Sequence, residues 1–283
     1  SSSQSQLIAE KYPQVTLFNT PESLIKNADI DLVIITAPNH VHFSLAKLAL
    51  ENNRHVVVEK PMVTTSIEAQ TLSSLAKQQQ RLLSVFHNRR WDGDFLTVKH
   101  CLSQQSLGEL RYFESHFDRF RPDVRDRWRE QPGPATGIWF DLGAHLVDQV
   151  LCLFGLPVSL TAKCLITRPT ASTTDYFHVQ LHYADFEVVL HGSSYSLGPN
   201  LRFKLQGSQG SYIKYGLDPQ EDQLKSALTP LNDNYGVELS TDHGTYYQLD
   251  SSEKIPTDGS FARGYLRRLG WRSEFYSGTA GVW

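Results

Sequence analysis

His55-Val56-Val57-Val58-Glu59-Lys60-Pro61 gives the strongest structural signal in this chain. A run of β-branched valines suits a strand that is buried on both faces of a parallel sheet. Pro61 has no N–H to donate to a neighbouring strand, and it biases Lys60 towards an extended conformation. We therefore expect Lys60 at the carboxyl end of a buried strand, the edge of an open α/β sheet where ligands bind. The residues alone leave open a lysine that simply ends a strand in solvent.

The segments around this strand alternate between strand and helix patterns. An apolar run at 31–36 (DLVIIT) ends at Ala37-Pro38-Asn39, and residues 41–53 then have helical spacing. Residues 65–80 are again helical in pattern, and residues 82–86 form another short apolar run. Strands that alternate with helices predict a parallel, doubly wound sheet.

The composition limits the possible classes of protein. A chain of 283 residues with 40% hydrophobic content can build more than one core, so we expect two domains. The net charge of −3 indicates no nucleic-acid partner. The 3 cysteines have no metal-type spacing, which favours reduced thiols in the cytoplasm. No apolar run approaches the length of a membrane span and no signal-peptide pattern is present, so we expect no membrane partner.

Residues 136–155 (TGIWFDLGAHLVDQVLCLFG) form a second informative segment. Apolar residues recur at i, i+3, i+4 and i+7, which predicts a helix that Gly155 ends. Asp141, His145 and Asp148 share another face at helical spacing, so two carboxylates flank one imidazole. From the residues alone this group is either catalytic or an ordinary surface Asp/His pair.

Residues 119–134 (RFRPDVRDRWREQPGP) are dense in arginine. Such a charge run is typical of a solvated loop with Arg–Asp pairs. The other interpretation is a loop that folds over cofactor and substrate, in which Trp128 offers a flat apolar wall and Arg127 or Arg129 contacts an anion.

Short alternating segments follow from residue 158 onward, and residues 109–118 alternate in the same way. This pattern is typical of an antiparallel sheet. His178, His182 and His191 lie in these segments without the tight spacing of metal ligands, so we expect no metal ion.

Several motifs in order carry a family resemblance. They are Thr36-Ala37-Pro38-Asn39 with His42, HVVVEKP at 55–61, FHNRRWD at 86–92 and DLGAH at 141–145. With these motifs, the chain from Ser1 to about Pro256 resembles the Gfo/Idh/MocA oxidoreductases. Within that family, FHNRRWDGDFLT, DYFH at 175–178 and IKYGLDPQED at 213–222 are most similar to NADP-dependent scyllo-inositol dehydrogenases.

The resemblance implies a domain organisation. Residues 1–90 would form a partial dinucleotide-binding domain with a Rossmann-type parallel sheet. Residues 91–283 would form an α+β domain, incomplete at its C-terminus, with an open-faced, mainly antiparallel sheet. Because the family uses such a sheet for contacts between subunits, we expect a homo-oligomer that assembles through it.

The resemblance also implies an NAD(P)-dependent dehydrogenase that acts on CH–OH groups. A hydride would pass between the nicotinamide and a ring carbon of a cyclic polyol or sugar of the inositol type. His145 would be the general acid/base, Asp141 would orient it, and Lys60 would donate a hydrogen bond to the reacting oxygen. The alternative is a non-catalytic binding or regulatory protein with the same fold. The presence of all three residues favours the enzyme.

Further site residues follow from the resemblance. The cofactor-binding residues would be Ser2, Ser3, Thr36, Pro38, Asn39, His42, Glu59, Lys60, Asn88 and Trp128, and the substrate-binding residues would be Arg89, His116, Asp141 and His145. The resemblance places serines where NAD enzymes carry an acidic residue at the end of the second strand. We therefore expect NADP as the cofactor, with NAD as the other possibility.

Parts of the family's fold are not found in this sequence. No glycine-rich G-x-G-x-x-G turn occurs, although that turn normally holds the pyrophosphate. We therefore expect that the first strand, the turn and the following helix are missing, and that these residues alone are impaired in activity. After about Gly259 the sequence departs from the family's tyrosine-bearing helix, and we hypothesise a frameshift there.

Overall fold

The computed structural model describes residues 2–257, with side chains described from residue 5 onward. The expectations about the departure after Gly259 and the frameshift lie outside the described residues. The chain folds as two compact units, the first ending at Phe86 and the second starting at His87. The boundary that we expected, after residue 90, lies slightly further along the chain than this division. The residues between belong with the second unit because Arg90 pairs with Asp148 at 2.6 Å.

The first unit contains a three-stranded parallel sheet in the order β1-β2-β3. Its elements are α1 (Ser2–Lys11), α2 (Pro21–Asn27), β1 (Leu32–Ile35), α3 (His42–Glu51), β2 (His55–Glu59), α4 (Ser66–Gln78) and β3 (Leu83–Phe86). The valine run lies on the central strand β2, where Val56 and Val58 are 1% and 0% exposed. Val57 points to the other face and is partly buried. The predicted Rossmann-type sheet is confirmed.

Helix α1 begins at Ser2, and this corrects the expectation that the first four residues end a strand. Serine is common where helices begin, and residues 6–11 (QLIAEK) include good helix formers. The side chains of Ser2 and Ser3 lie outside the described residues, so their role in cofactor binding stays a prediction.

The second unit contains an eight-stranded sheet in the order β11-β10-β9-β8-β4-β7-β6-β5. Its strands are β4 (Leu110–His116), β5 (Ser159–Leu165), β6 (Tyr176–His182), β7 (Glu187–Ser193), β8 (Leu201–Gly207), β9 (Ser211–Tyr215), β10 (Gly244–Gln248) and β11 (Ser251–Ile255). Its α-helices are α5 (Gly93–Ser103), α6 (Ala144–Phe154) and α7 (Gln220–Lys225). Only the β4–β7 pair is parallel among the described strands of this sheet, so the predicted mainly antiparallel sheet is confirmed.

One face of this sheet packs against α5 and α6. Phe113 of β4 and Leu146 and Val150 of α6 are all fully buried in this core. Gly155 ends α6 with a φ of 72°, as the sequence predicted. The predicted apolar face consists of Val147, Val150, Leu151 and Phe154. Leu151 is 37% exposed, so the buried face is rotated relative to the expected one. No described helix is long and apolar enough to cross a membrane.

A buried charge cluster connects the two layers of the second unit. Arg202 of β8 is 1% exposed, and its Nε donates to Asp94 of α5 at 3.0 Å. Its other nitrogens donate to Ser115 Oγ of β4 at 2.9 Å and to Gln149 Oε1 of α6 at 3.1 Å. The guanidinium therefore joins two strands and two helices in one network.

We expect Arg202→Met to lower the free energy of unfolding by about 3–5 kcal/mol, because Asp94 would remain buried without its partner. Lys204→Met on the same strand is the control, since Lys204 is only partly buried. Urea unfolding followed by circular dichroism measures both. Adding Asp94→Asn to Arg202→Met should recover part of the loss. Equal midpoints for the two single variants would show that the network contributes little.

Candidate functional site

The edge of the parallel sheet brings together several predicted cofactor-binding residues. Lys60 follows β2 directly, and its backbone N–H donates to Glu59 Oε2 at 3.2 Å. Thr36 and Pro38 follow β1 and are exposed. Because the carboxyl ends of parallel strands meet at one edge, these four residues form a rim at the edge where such sheets bind ligands. The Lys60–Pro61 peptide bond is cis, which the sequence analysis did not foresee.

His42 has a different role from the predicted one. Its side chain is 0% exposed, and its ring nitrogens lie 2.9 Å from the Pro61 carbonyl oxygen and 2.7 Å from the Ala37 carbonyl oxygen. Both nitrogens are therefore occupied by backbone groups, and neither is available to a cofactor. His42 instead ties together the loops that follow β1 and β2. Asn39, also predicted to bind the cofactor, is 7% exposed in a short 3-10 helix.

Asp141 and His145 lie in the second unit, on either side of a change in helix type. Residues Trp139–Gly143 form a π-helical turn, and α6 starts at Ala144. Asp141 is thus in the wide turn and is partly exposed, whereas His145 is 6% exposed in the first turn of α6. The regular helical spacing assumed from the sequence does not hold at Asp141. π-Turns of this kind are frequent at functional sites.

Gly143 explains how the π-turn is packed. A Cβ atom at this position would lie 2.4 Å from the ring of Trp139. That ring is held in turn by an edge contact with Phe177, at 5.2 Å between centroids. Only a glycine therefore allows the indole to close over the turn that carries Asp141.

Asp148 does not act as a second carboxylate for His145 in the way the spacing suggested. Its oxygens accept two hydrogen bonds from Arg90, at 2.7 and 2.6 Å, and one oxygen lies 3.4 Å from His87 Nε2. A bidentate arginine occupies the carboxylate and holds the segment that follows β3. Asn88, a predicted cofactor ligand, is exposed in this segment.

Arg89, predicted to bind substrate, is already paired. Its guanidinium lies 3.3 Å from Asp92 and forms a close ion pair with Glu221 of α7. Burial opposes the charge of Arg89, but these two carboxylates outweigh that effect and raise its pKa. The pairs leave Arg89 fixed and largely buried beside Phe117, 5.6 Å from the ring centroid.

The arginine-rich segment combines features of both interpretations. Arg127 Nε donates to Glu130 at 2.6 Å, so this candidate anion contact is already neutralised within the loop. Arg129 stacks on Trp128, 4.8 Å from the ring centroid, and its Nε lies 3.6 Å from Asp141. The segment is therefore folded, and it places Trp128 next to an arginine that contacts a candidate catalytic residue.

His116 lies apart from Asp141 and His145. Neighbouring side chains of β4 point to opposite faces, and the next residue, Phe117, is the one that packs near His145, at 6.1 Å between ring centroids. The ring nitrogens of His116 lie 2.8 Å from Asp118 and 2.7 Å from Glu114. The predicted substrate contact is corrected, because His116 is on the other face of the sheet and both of its nitrogens are occupied.

The same face holds a cluster of possible metal donors that the sequence analysis did not identify. Atoms of His116, Asp118 and His191 lie within 4.8 Å of one another. Burial opposes the charge of His116, but the hydrogen bonds with Asp118 and Glu114 dominate and raise its pKa to about 9. Burial also opposes the charge of Asp118, yet its histidine neighbours lower its pKa to about 2. These directions fit a charged hydrogen-bond network.

Comparisons with known proteins agree with this organisation. The family model described as "Oxidoreductase family, NAD-binding Rossmann fold" matches residues 1–87, and the model described as "Oxidoreductase family, C-terminal alpha/beta domain" matches residues 99–276. The uncharacterised oxidoreductase YdgJ of Escherichia coli K12 is 49% identical over 255 residues, which cover 90% of this chain and 73% of YdgJ.

Two further relatives are similar over most of the chain. The scyllo-inositol 2-dehydrogenase (NADP(+)) IolW of Bacillus subtilis 168 is 37% identical over 94% of this chain and 76% of its own length. The solved structure of YvaA from Bacillus subtilis superposes with a TM-score of 0.88 at 35% identity, covering 98% of this chain and 80% of that chain.

We expect Gly143→Ala to destabilise the second unit by about 1–3 kcal/mol, because the added methyl group overlaps the Trp139 ring. Gly133→Ala is the matched control, since its Cβ would meet nothing closer than 3.5 Å. Denaturant unfolding of both variants checks this. A Gly143→Ala protein as stable as the control would mean that the indole is free to move.

We also expect the His116 network to make stability depend on pH. A raised pKa stabilises the fold fully below the unfolded value, about 6.5, and the contribution is lost as pH rises through about 9. His116→Gln should therefore lose less stability than the wild type between these two pH values. Urea midpoints at both pH values measure the difference, with His178→Ala as an exposed control on the same sheet. Identical losses in wild type and His116→Gln would contradict the expectation.

Proposed function

Because the chain belongs to the Gfo/Idh/MocA oxidoreductase family, we propose that it transfers a hydride between a nicotinamide cofactor and a ring carbon of a cyclic polyol or sugar. The observation that carries the proposal is the placement of His145, which is buried in the first turn of α6 and follows Asp141 across the π-turn. The inositol-type substrate is supported by the similarity to IolW.

The rim of the first unit fits a nucleotide. Thr36 and Pro38 are exposed there, and Glu59 and Lys60 lie at the carboxyl end of the central strand. When bound, the cofactor supplies a nicotinamide carbon that accepts or donates the hydride. Asn88 and Trp128 of the second unit are proposed as further contacts. His42 is left out of this set because it is fully buried and both of its ring nitrogens face backbone carbonyl oxygens.

NADP is the proposed cofactor. IolW, at 37% identity, is named as an NADP(+) enzyme. Ser2 and Ser3 are kept as proposed contacts because serine carries no negative charge that would repel a 2′-phosphate, although they lie at the start of helix α1 and not at the end of a strand.

His145 is proposed as the general acid/base. An imidazole titrates near neutral pH and can accept the proton of a hydroxyl group as the hydride leaves the same carbon. Asp141 would hydrogen-bond a neighbouring hydroxyl and orient the imidazole. Lys60 would donate to the reacting oxygen and so stabilise the negative charge that develops on it.

We expect His145→Ala in the full-length protein to lower kcat for polyol oxidation by about 10²–10⁴-fold, the usual contribution of general acid/base catalysis. Cofactor affinity should change little, because His145 belongs to the second unit. Absorbance of reduced cofactor at saturating scyllo-inositol and NADP+ measures the rate, and His178→Ala serves as the control. Equal or better kcat/KM with NAD+ would overturn the NADP preference.

The pH profile gives an independent check of the same residue. In the oxidation direction, kcat/KM should fall on the acid side, because a protonated imidazole cannot accept the substrate proton. That acid limb should vanish in His145→Ala. An unchanged limb with near-normal turnover would assign His145 to packing. Specific binding of polyol without turnover in the wild type would favour a binding or regulatory protein.

A further inference from the structure

A small cavity in the second unit lies beside Asp141, and five of its twelve lining residues are arginines. Arg119, Arg121, Arg127, Arg129 and Arg168 all contribute to its wall. Thr173 and Ser194, each 7% exposed, line it as well. Such a concentration of positive charge near a candidate catalytic carboxylate is not explained by hydride transfer to a neutral polyol.

The backbone explains why Arg119 and Arg121 face this cavity. The chain continues beyond β4 in an extended form, and the N–H groups of Arg119 and Arg121 donate to the carbonyl groups of Ser193 and Ser194 at 2.9 and 2.8 Å. In an extended segment alternate side chains share a face. Phe117, two residues before Arg119, packs near His145, so Arg119 and Arg121 project to the same side.

Three of the five arginines already have carboxylate partners. Arg127 and Arg168 contact Glu130 at 2.6 and 3.1 Å. Arg168 also pairs with Asp175 at 2.9 Å. Arg129 lies 3.6 Å from Asp141. Glu130 and Asp141, the two carboxylates that line the cavity, are therefore already paired with arginines.

Arg119 and Arg121 form no ion pair with any residue that the structure describes. The nearby acids are engaged elsewhere, since Glu221 pairs with Arg89 and Asp141 with Arg129. Burial, followed by repulsion from Arg121, lowers the pKa of Arg119 to about 10. A partly buried guanidinium that forms no ion pair favours an anionic ligand, because buried charges are normally paired. Arg119 and Arg121 thus carry two positive charges at the cavity wall that are not held in ion pairs within the described residues.

We propose that Arg119 and Arg121 form a subsite for the carboxylate of a sugar acid, beside Asp141. The planar guanidinium fork matches a carboxylate in geometry and charge. The inference rests on the proposed function and narrows its substrate class to a cyclic polyol or sugar that carries an acid group. Arg119 binds the anion, and Arg121 contributes a second charge.

Calorimetry on the full-length protein tests the subsite without turnover. The probes are D-glucuronate, its neutral counterpart D-glucose, and sulfate as a simple anion. Wild type should bind glucuronate at least about tenfold more tightly than glucose. Arg119→Gln should weaken glucuronate binding by about ten- to a hundredfold, the value of a hydrogen bond to a charged group. Arg119→Lys should restore part of it.

The matched control is Arg125→Gln, an exposed arginine of the same segment, which should bind glucuronate like wild type. Circular dichroism confirms folding of each variant. If neither glucuronate nor sulfate binds at millimolar concentration, or if binding survives Arg119→Gln, the subsite is wrong. If Arg119→Gln weakens NADPH binding and leaves glucuronate binding unchanged, the arginines serve the cofactor's phosphates and the proposal is overturned.

The test of the anion subsite can be told apart from the test of the proposed function. Arg119-dependent glucuronate binding together with no turnover of any polyol or sugar acid would retain the anion subsite and reject the dehydrogenase. Turnover of scyllo-inositol with no Arg119-dependent anion binding would retain the dehydrogenase and reject the subsite.

Discussion

The buried guanidinium of Arg202 is the constraint on which the second unit depends. It links β8 to Asp94 of α5, Ser115 of β4 and Gln149 of α6, and all of these groups are nearly inaccessible to water. The amide of Gln149 then donates to the backbone carbonyl of Arg89 at 2.8 Å. Because removing one member leaves a buried charge or dipole unsatisfied, none of these elements can shift alone.

This network fixes the helix that carries His145. Gln149 holds α6 from the core, and Asp148, next to it, is clamped by Arg90. The turn before α6 is held separately, by the packing of Trp139 against Phe177. If His145 is the acid/base group, as proposed, a helix fixed from both sides holds it in place before substrate binds, which is the advantage of building a site on rigid elements.

The sequence was sufficient wherever local pattern and chain topology determine the outcome. The valine run of β2, the alternation of strands and helices, and the stop at Gly155 all follow from side-chain shape and backbone preference. The position of Lys60 was predicted in the same way, because Lys60 directly follows β2 and the carboxyl ends of parallel strands are where open α/β sheets bind ligands.

Contacts between residues that are far apart in the sequence could not be predicted from local sequence patterns. Asp148 was assigned to His145 because the two are close in sequence, yet its partner Arg90 is 58 residues away. His42 belongs to one of the family motifs, but only the fold shows that its ring nitrogens face backbone carbonyl oxygens. For His116 a signal did exist. Strand alternation with Phe117 already places the two side chains on opposite faces.

The positive charges of the arginine-rich cavity bear on the choice between neutral and acidic ligands. A neutral polyol that filled the space beside Asp141 would remove water from Arg119 and Arg121 and give them no negative charge in return. An acid of similar size would supply that charge, so the difference between the two ligands includes the desolvation of both guanidinium groups. Sites with buried polar groups reject ligands that lack the matching group far more strongly than apolar pockets reject a change in size. In the proposed subsite, an acid group on the substrate would therefore pair with Arg119 and Arg121, and a neutral polyol of the same size would gain no such pair.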